Sequence, residues 1–404
     1  MAPNDSRNAF QRNARDSRRP KPFYADRLKP AVRFHDIPFT AKQQLVEDQA
    51  NHPPFGTNLT FPVENYTRIH QTSGTAGRPI LWLDTTESWD WWLRCWAEGF
   101  KGAGVRQGDR VYVAFSFGPF IGFWTAFEAA QRMGLMSISG GGQSTEQRLQ
   151  SILHREATVL VCTPTYALRL ADAAREQGID MSRSAIRTTI HAGEPGASIT
   201  ETRKRIQESF GARTFDHVGM TEMGAYGFEC EEQSGLHINE DEFIAEMIDP
   251  ATQAEVDDGQ KGELVLTNLG RVGMPLIRYR TGDLGVISRE PCPCGRRGAR
   301  LVGGVLGRAD DMITIRGINV FPSAVENIVR RHPEIVEFAI EVYRHREMHE
   351  LRLKVEVAGA PDGVIDRLAQ AFSNDLRIRA SIEHVADGSL PRFELKSRRL
   401  RFIE

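Results

Sequence analysis

Residues 72–79 read Thr72-Ser73-Gly74-Thr75-Ala76-Gly77-Arg78-Pro79 and follow the strand-like stretch 67–71. Hydroxyls, glycines and a cation in one tight run suit an anion, because small residues let backbone amides approach phosphate oxygens while hydroxyls and a guanidinium add donors. Ser73, Gly74, Thr75, Gly77 and Arg78 are therefore candidates to cradle a triphosphate. The run is not a Walker A loop, which needs Gly-Lys-Ser/Thr opening a helix, whereas here Pro79 follows the cation. Taken alone, it reads equally well as a flexible Ser/Gly turn. A second group could bind metal: Cys230 and His237 are spaced C-x6-H, and Cys292 and Cys294 are spaced C-x-C. Two such pairs on neighbouring strands would close a tetrahedral Cys3His site whose ligand types suit zinc, and a site with four protein ligands is structural. The other reading is a turn at Cys294-Gly295 with reduced structural thiols around it. Cys95 and Cys162 lie in apolar surroundings and read as core.

These groups need a scaffold. From residue 61 to about 300, short apolar strands (110–116, 158–163, 185–191, 213–217) alternate with amphipathic helical stretches (121–133, 145–155, 198–210). That alternation implies an α/β sheet with crossover helices, in which ligand loops gather at the carboxyl ends of the strands. Residues 243–290 change to short strands separated by Gly, Asp and Pro turns, which fits a β-rich subdomain. Beyond Gly307 the order becomes strand, helix (323–331), strands (334–343 and 350–357), helix (362–377), strand (381–385), a compact α+β unit. In the lead-in, Thr40 is placed to cap a helix over 40–50. The expected organisation is a fraying tail at 1–20, a large domain at 21–307 and a small, mobile C-terminal domain at 308–404.

The length of 404 residues exceeds what one core supports, in keeping with two domains. Lys plus Arg total 51 against 53 Asp plus Glu, a formal charge of −2, so no global positive field draws the chain to nucleic acid or anionic lipid. The apolar runs 111–117 and 120–127 are too short to span a bilayer, and the Arg- and Asn-rich N-terminus lacks the apolar stretch of a secretory signal. Five cysteines, an odd number, argue against a disulfide framework and for a reducing cytoplasm.

Beyond the phosphate-suited run, five further segments complete a pattern. His191-Ala192-Gly193-Glu194-Pro195, Gly219-Met220-Thr221-Glu222, Tyr279-Arg280-Thr281-Gly282-Asp283, Gly307-Arg308-Ala309-Asp310-Asp311 and Leu390-Pro391-Arg392-Phe393-Glu394-Leu395-Lys396 follow in order. Together the six resemble the motifs of the AMP-forming acyl-CoA synthetase, adenylation-domain and luciferase superfamily. The runs 139–148 and 316–323 are similar to those of phenylacetate-CoA ligases and related aryl-acid ligases. Two departures stand out: Arg78 replaces the usual lysine, and Val218 stands where an aromatic residue is common, which removes a stacking face.

The resemblance implies an ATP-dependent activation of a small aromatic acid to an acyl-adenylate, followed by transfer to CoA; a carrier protein or an amine would serve as alternative acceptor, and an inactive nucleotide-binding scaffold is the non-enzymatic alternative. It places Gly193, Glu194, Pro195, Asp216, His217, Thr221, Asp283 and Arg308 on the nucleotide, Asp310 at the domain hinge and Lys396 at the reacting carboxylate and α-phosphate. In physical terms, an acidic Glu222 in a site for an anion makes sense if it holds Mg2+ on the phosphates, with Thr221 adding a hydroxyl. Asp283 can take both ribose hydroxyls with its two oxygens. Each also has a plainer reading: Thr221-Glu222 as a capping pair, Gly282-Asp283 as a turn, Lys396 as a surface lysine. Phe117, Gly140, Gly141, Ala192, Gly193, Gly219 and Met220 are expected to line the acid, and His217 to meet a polar substituent on it. The partners are then an aryl acid, ATP and CoA or a carrier protein, with neither nucleic acid nor membrane; a homodimer is compatible with the sequence.

Overall fold

The computed structural model describes residues 22–25, 27–28, 33–72, 79–118, 121–309, 311–316, 318–345, 348–393 and 399–403. Ser73, Gly74, Thr75, Gly77 and Arg78, the hinge candidate Asp310 and the catalytic candidate Lys396 lie outside the described residues.

The first strands, β1 (Tyr66–Gln71) and β2 (Leu81–Thr85), pair antiparallel on either side of 73–78. β3 (Arg110–Val113), β4 (Met136–Ser139), β5 (Val159–Cys162), β6 (Thr188–His191) and the start of β7 (Arg213–Met220) run parallel in the order β4-β3-β5-β6-β7. Every residue of β5 and β6 is buried, as expected for strands covered by helices on both faces. β7 is the pivot of the sheet. Its first half pairs parallel with β6, and from His217 onward it pairs antiparallel with β8 (Gly224–Glu229). The sheet then continues through β9 (Leu236–Ile238), β10 (Phe243–Ile248), β11 (Lys261–Asn268), β12 (Tyr279–Ser288) and β13 (Arg300–Leu301), with β14 (Gly307–Arg308) joined to β12. The β-rich part is thus continuous with the parallel part, in one twelve-stranded sheet.

The helix Thr86–Gly102 covers the junction. Thr85 caps it by accepting the Ser88 amide, and Trp89, Trp92, Leu93, Trp96 and Phe100 recur at helical spacing to give one buried face. An aromatic side chain buries roughly 150–250 Å2, so each of these rings contributes on the order of 4–6 kcal/mol of transfer free energy before entropy is subtracted. Gly99 and Gly102 let the helix lie close to β7 and β8, since a Cβ at Gly102 would fall 2.6 Å from the Phe228 ring.

The C-terminal part has its own sheet and core. A hairpin of β15 (Ile313–Ile315) and β16 (Ile318–Val320) leads into the helix Pro322–Arg330. β17 (Ile335–His345), β18 (Met348–Val357), β19 (Ser381–His384) and β20 (Leu400–Ile403) then form a sheet of order β19-β18-β17-β20. Val325, Ile328, Phe338, Leu353, Leu368 and Phe372 fill the space between this sheet and the helices Pro322–Arg330 and Asp362–Leu376. The expected α+β unit is present, and β20 adds a strand that the short stretch 400–403 did not reveal.

Thr40 does not cap a helix. The helix begins at Lys42 after Ala41, and Thr40 forms a bridge to Tyr279, with its hydroxyl donating to the Ile277 carbonyl at 2.8 Å. Backbone pairing with the start of β12 outcompetes the capping role.

Candidate active site

Glu222 lies just past β7 and is 5% exposed. The turn that carries it is held from beneath by a residue that no motif announced. Arg271 donates to the carbonyl oxygens of Thr221 and Glu222, and its Nε and Nη2 hold Asp84 at 2.8 and 2.6 Å. Its guanidinium also lies 4.3 Å from the Trp92 ring centroid. Arg271 and Asp84 are both fully buried, an arrangement that is stable only because the fork is satisfied throughout. With its backbone so fixed, Glu222 projects its carboxylate to Lys42, Nζ to Oε1 3.1 Å. The Tyr279 hydroxyl is pushed well above its ordinary value by burial and by the nearby Glu222 charge; Arg308 and Asp283 also act on it, so these four side chains share one locality.

Asp283 and Arg308 face each other across β12 and β14. The Tyr226 hydroxyl donates to Asp283 Oδ2 at 2.7 Å, and Arg308 Nη1 lies 3.5 Å from Oδ1. Gly282 adopts φ +76°, and a Cβ there would fall 2.9 Å from Arg308 Nη2, so the turn needs glycine for both conformation and room. Asp283 presents a buried, oriented carboxylate beside a cation, a geometry suited to a pair of hydroxyls.

Successive residues of β7 point to opposite faces. Asp216 Oδ2 lies 3.5 Å from the position of a Cβ on Gly304, beside Ser198. Its carboxyl is pushed up to about 7 by burial and by the negative Glu229, which the Ser198 hydroxyl, Arg203 and the His217 amide only partly offset. Glu229 accepts the Asp216 amide at 2.7 Å and pairs with Arg203 at 2.6 Å. The loop 192–195 leaves β6 next to Asp216, since His191 and Asp216 are in register. Gly193 takes φ +98°, and Glu194 Oε1 accepts the Thr165 amide at 3.1 Å.

His217 faces the other way, stacked on Trp96 with ring centroids 3.6 Å apart and an interplanar angle of 11°. Burial pushes its pKa down to about 3, so it is neutral, and its Nδ1 has no hydrogen-bond partner among the described residues. Ala192, Phe115, Phe123 and Trp96 belong to one apolar cluster, with Phe117, Val218 and Met220 packed half-buried against it. Phe117 sits edge-on to Trp124 and Phe127, and a Cβ on Gly141 would fall 2.9 Å from its ring. Gly140 approaches the Tyr112 ring as closely, and Gly219 pairs with Ala225 across the hairpin, where a Cβ on it would fall 2.8 Å from the Gly224 carbonyl oxygen. Of the residues expected around an acid, Ala192, Phe117 and Met220 thus share one apolar cluster, and Gly141 packs against the Phe117 ring.

The cysteine and histidine pairs meet. Cys230, His237, Cys292 and Cys294 place one ligand atom each within 4.8 Å of one another. Cys230 Sγ lies 3.7 Å from Cys292 Sγ, and Cys294 Sγ lies 3.6 Å from His237 Nε2. A tetrahedral zinc with sulfur at about 2.3 Å has edges of about 3.8 Å, so the donor set has the right size and chemistry for it.

Residues 317–401 match the AMP-binding enzyme C-terminal domain family. The chain is 34% identical to the phenylacetate-coenzyme A ligase of Pseudomonas putida over 373 residues, covering 89% of this chain and 82% of that protein. The solved structure of 2-hydroxyisobutyryl-CoA ligase in the postadenylation state, with 2-HIB-AMP, superposes with a TM-score of 0.93 at 30% identity, covering 99% of this chain and 89% of the other. The same enzyme with 2-HIB-AMP and CoA in the thioesterification state gives 0.74 at 31% identity, with the same coverage.

Proposed function

The chain belongs to the phenylacetate-coenzyme A ligase family of AMP-forming acid–CoA ligases, and on that premise we propose which acid it takes and which residues serve each step. It activates a carboxylic acid with ATP and transfers the acyl group to coenzyme A. In the first step a carboxylate oxygen bonds to the α-phosphorus and pyrophosphate leaves with the bridging oxygen. In the second, the CoA thiol gives up its proton and bonds to the acyl carbon as AMP departs.

The first step brings anions together, so cations and dipoles must converge. Asp283 takes the ribose hydroxyls, with Tyr226 and Arg308 fixing its oxygens, and Arg308 stands toward the ribose and phosphates. Asp216 and the loop 193–195 border the adenine. Lys396, by resemblance, bridges the carboxylate and the α-phosphate, and Ser73, Gly74, Thr75, Gly77 and Arg78 hold the pyrophosphate. Glu222 and Thr221 fit Mg2+, because one buried carboxylate and a hydroxyl suffice when substrate phosphates and waters supply the remaining ligands. When bound, the ion neutralises phosphate charge; until then the Lys42 ammonium balances Glu222. Cys230, His237, Cys292 and Cys294 fit a structural zinc. The domains divide at Gly307, with the hinge at Asp310. Among the described residues, no helix is long and apolar enough to cross a membrane, and the free thiols suit a reducing cytoplasm.

The observation that carries the mechanistic reading is the locality of Glu222, Tyr279, Asp283 and Arg308 at the end of β7, with Asp216 and the loop 193–195 beside it. For the acid, the aromatic wall of Phe115, Phe117, Trp124 and Phe127 favours a flat ring. The test is kcat/KM for thioester formation across benzoic, phenylacetic, hydroxybenzoic and aminobenzoic acids against short 2-hydroxy and fatty acids. An aryl acid should lead by at least tenfold, about what 1.4 kcal/mol of pocket contact supplies; a leading aliphatic acid overturns the aromatic assignment.

A further inference from the structure

Arg399 is the first described residue after 394–398, and its side chain is 5% exposed. Within its own domain, Nε and Nη2 donate to the two Glu337 oxygens at 2.8 and 3.3 Å, Glu326 lies 3.9 Å away, and the Phe338 ring centroid is 4.8 Å from the guanidinium. Nη1, the atom nearest Glu326, also faces the large domain. Nη1 lies 3.4 Å from Thr165 Oγ1, at the start of the large-domain helix Pro164–Glu176. The Thr165 amide in turn donates to Glu194, in the loop that follows β6, and the Glu194 charge is among those acting on Arg399. On the other flank of 394–398, Arg392 pairs with Glu356 at 2.5 Å, a contact wholly inside the C-terminal domain. Arginine–glutamate pairs therefore fix both flanks of the segment containing Lys396, and the Arg399 side also reaches across to the large domain.

We propose that Arg399 is a positioning residue for the first half-reaction: held by Glu337, it bears on Thr165 and Glu194 and so keeps the C-terminal domain, with the Lys396 segment, over the site while the adenylate forms. The inference rests on the ligase reading above. Two halves of the clamp must behave differently. Glu337 and Arg399 share a domain, so their contact survives any rotation about the hinge; Thr165 and Glu194 do not, so theirs is lost. The arrangement described here superposes better on the postadenylation state of 2-hydroxyisobutyryl-CoA ligase than on its thioesterification state, which puts the cross-domain contact in the adenylate-forming arrangement. Removing that contact should slow the first half-reaction and leave the second alone.

Thr165→Val keeps the shape and the backbone amide and removes only the hydroxyl. Acid-dependent ATP–pyrophosphate exchange reports the first half-reaction, and thioester formation from synthetic acyl-adenylate plus CoA reports the second, with the best wild-type acid in both. Exchange by Thr165→Val should fall about threefold to tenfold, the range for one lost hydrogen bond, while its thioester formation and its thermal midpoint stay at the wild-type values. Arg399→Lys should lower exchange further; should that variant fail to fold, the Thr165→Val result decides. Equal losses in both half-reactions, or wild-type exchange in Thr165→Val, overturn the inference. A wild-type protein that shows no exchange with any acid would instead sink the ligase reading.

Discussion

Asp216 brings pH dependence into the site. Its carboxyl is raised from 3.8 to about 7, chiefly by burial and then by Glu229. A folded-state pKa above the unfolded one means that the proton is held more tightly in the folded chain, so this contribution to stability is complete below pH 3.8 and is lost as pH rises through about 7. Asp216→Asn removes the loss, and its thermal midpoint should gain on the wild type between about pH 4 and about pH 7; a gap that stays constant over that window contradicts the assignment. Arg271 makes a different prediction. Arg271→Leu leaves Asp84 buried without its partner and should cost about 3–5 kcal/mol in urea unfolding, whereas a loss under about 1 kcal/mol would show that the pair is not satisfied as described. Lys396→Ala should lower adenylate formation by on the order of a hundredfold, the effect of one lost transition-state contact, and near-wild-type exchange would remove Lys396 from the mechanism. Glu222, Asp283 and Arg308, which the fold brings into one locality, stood out in the sequence because each sits in a short motif whose chemistry is local. Arg271, Tyr226 and Lys42 were not, because each acts through a partner tens to hundreds of positions away, and a lone Arg, Tyr or Lys carries no local signal.

At the scale of elements, β7 decides most of the site. It ends the parallel half of the sheet, opens the antiparallel half, and sends Asp216 and His217 to opposite faces. Its apolar start was readable as a strand, but the change of partner depends on β8 and β9, whose pairing no local pattern dictates. The same elements carry the cysteine and histidine cluster: Cys230 follows β8, His237 lies in β9, and Cys292 and Cys294 occupy the loop before β13. One zinc would tie these together at a place where β13 contributes only two residues to the sheet. Purified protein should contain about one zinc per chain, and chelation or Cys292→Ser should lower the thermal midpoint, because a closed four-ligand site adds its binding energy to folding. Zinc-free protein with an unchanged midpoint under chelator would return the cluster to four reduced side chains. The spacing had suggested the ligands, and what it lacked was the register of β9 with β13, His237 against Arg300, which brings the pairs together.

At the scale of the whole molecule, a large sheet brings together Glu222, Asp283 and Arg308 and the cysteine and histidine cluster, and the C-terminal part has its own sheet and core. The separate C-terminal sheet and core were readable from the change in element order after Gly307, since helix and strand periods are local properties. The short β20 was not, because four residues after a basic run carry little periodicity and the strand forms only by pairing with β17. Two domains joined in this way can use one site for two reactions, with the lysine present for the first and withdrawn for the second. Acyl-adenylate formation underlies both half-reactions, and acid-dependent exchange of labelled pyrophosphate into ATP, with Mg2+ present and CoA absent, reports that step alone. Exchange that appears with an added acid, and a CoA thioester once thiol is supplied, is the predicted result; no exchange above the acid-free background with any aryl or aliphatic acid would contradict the account.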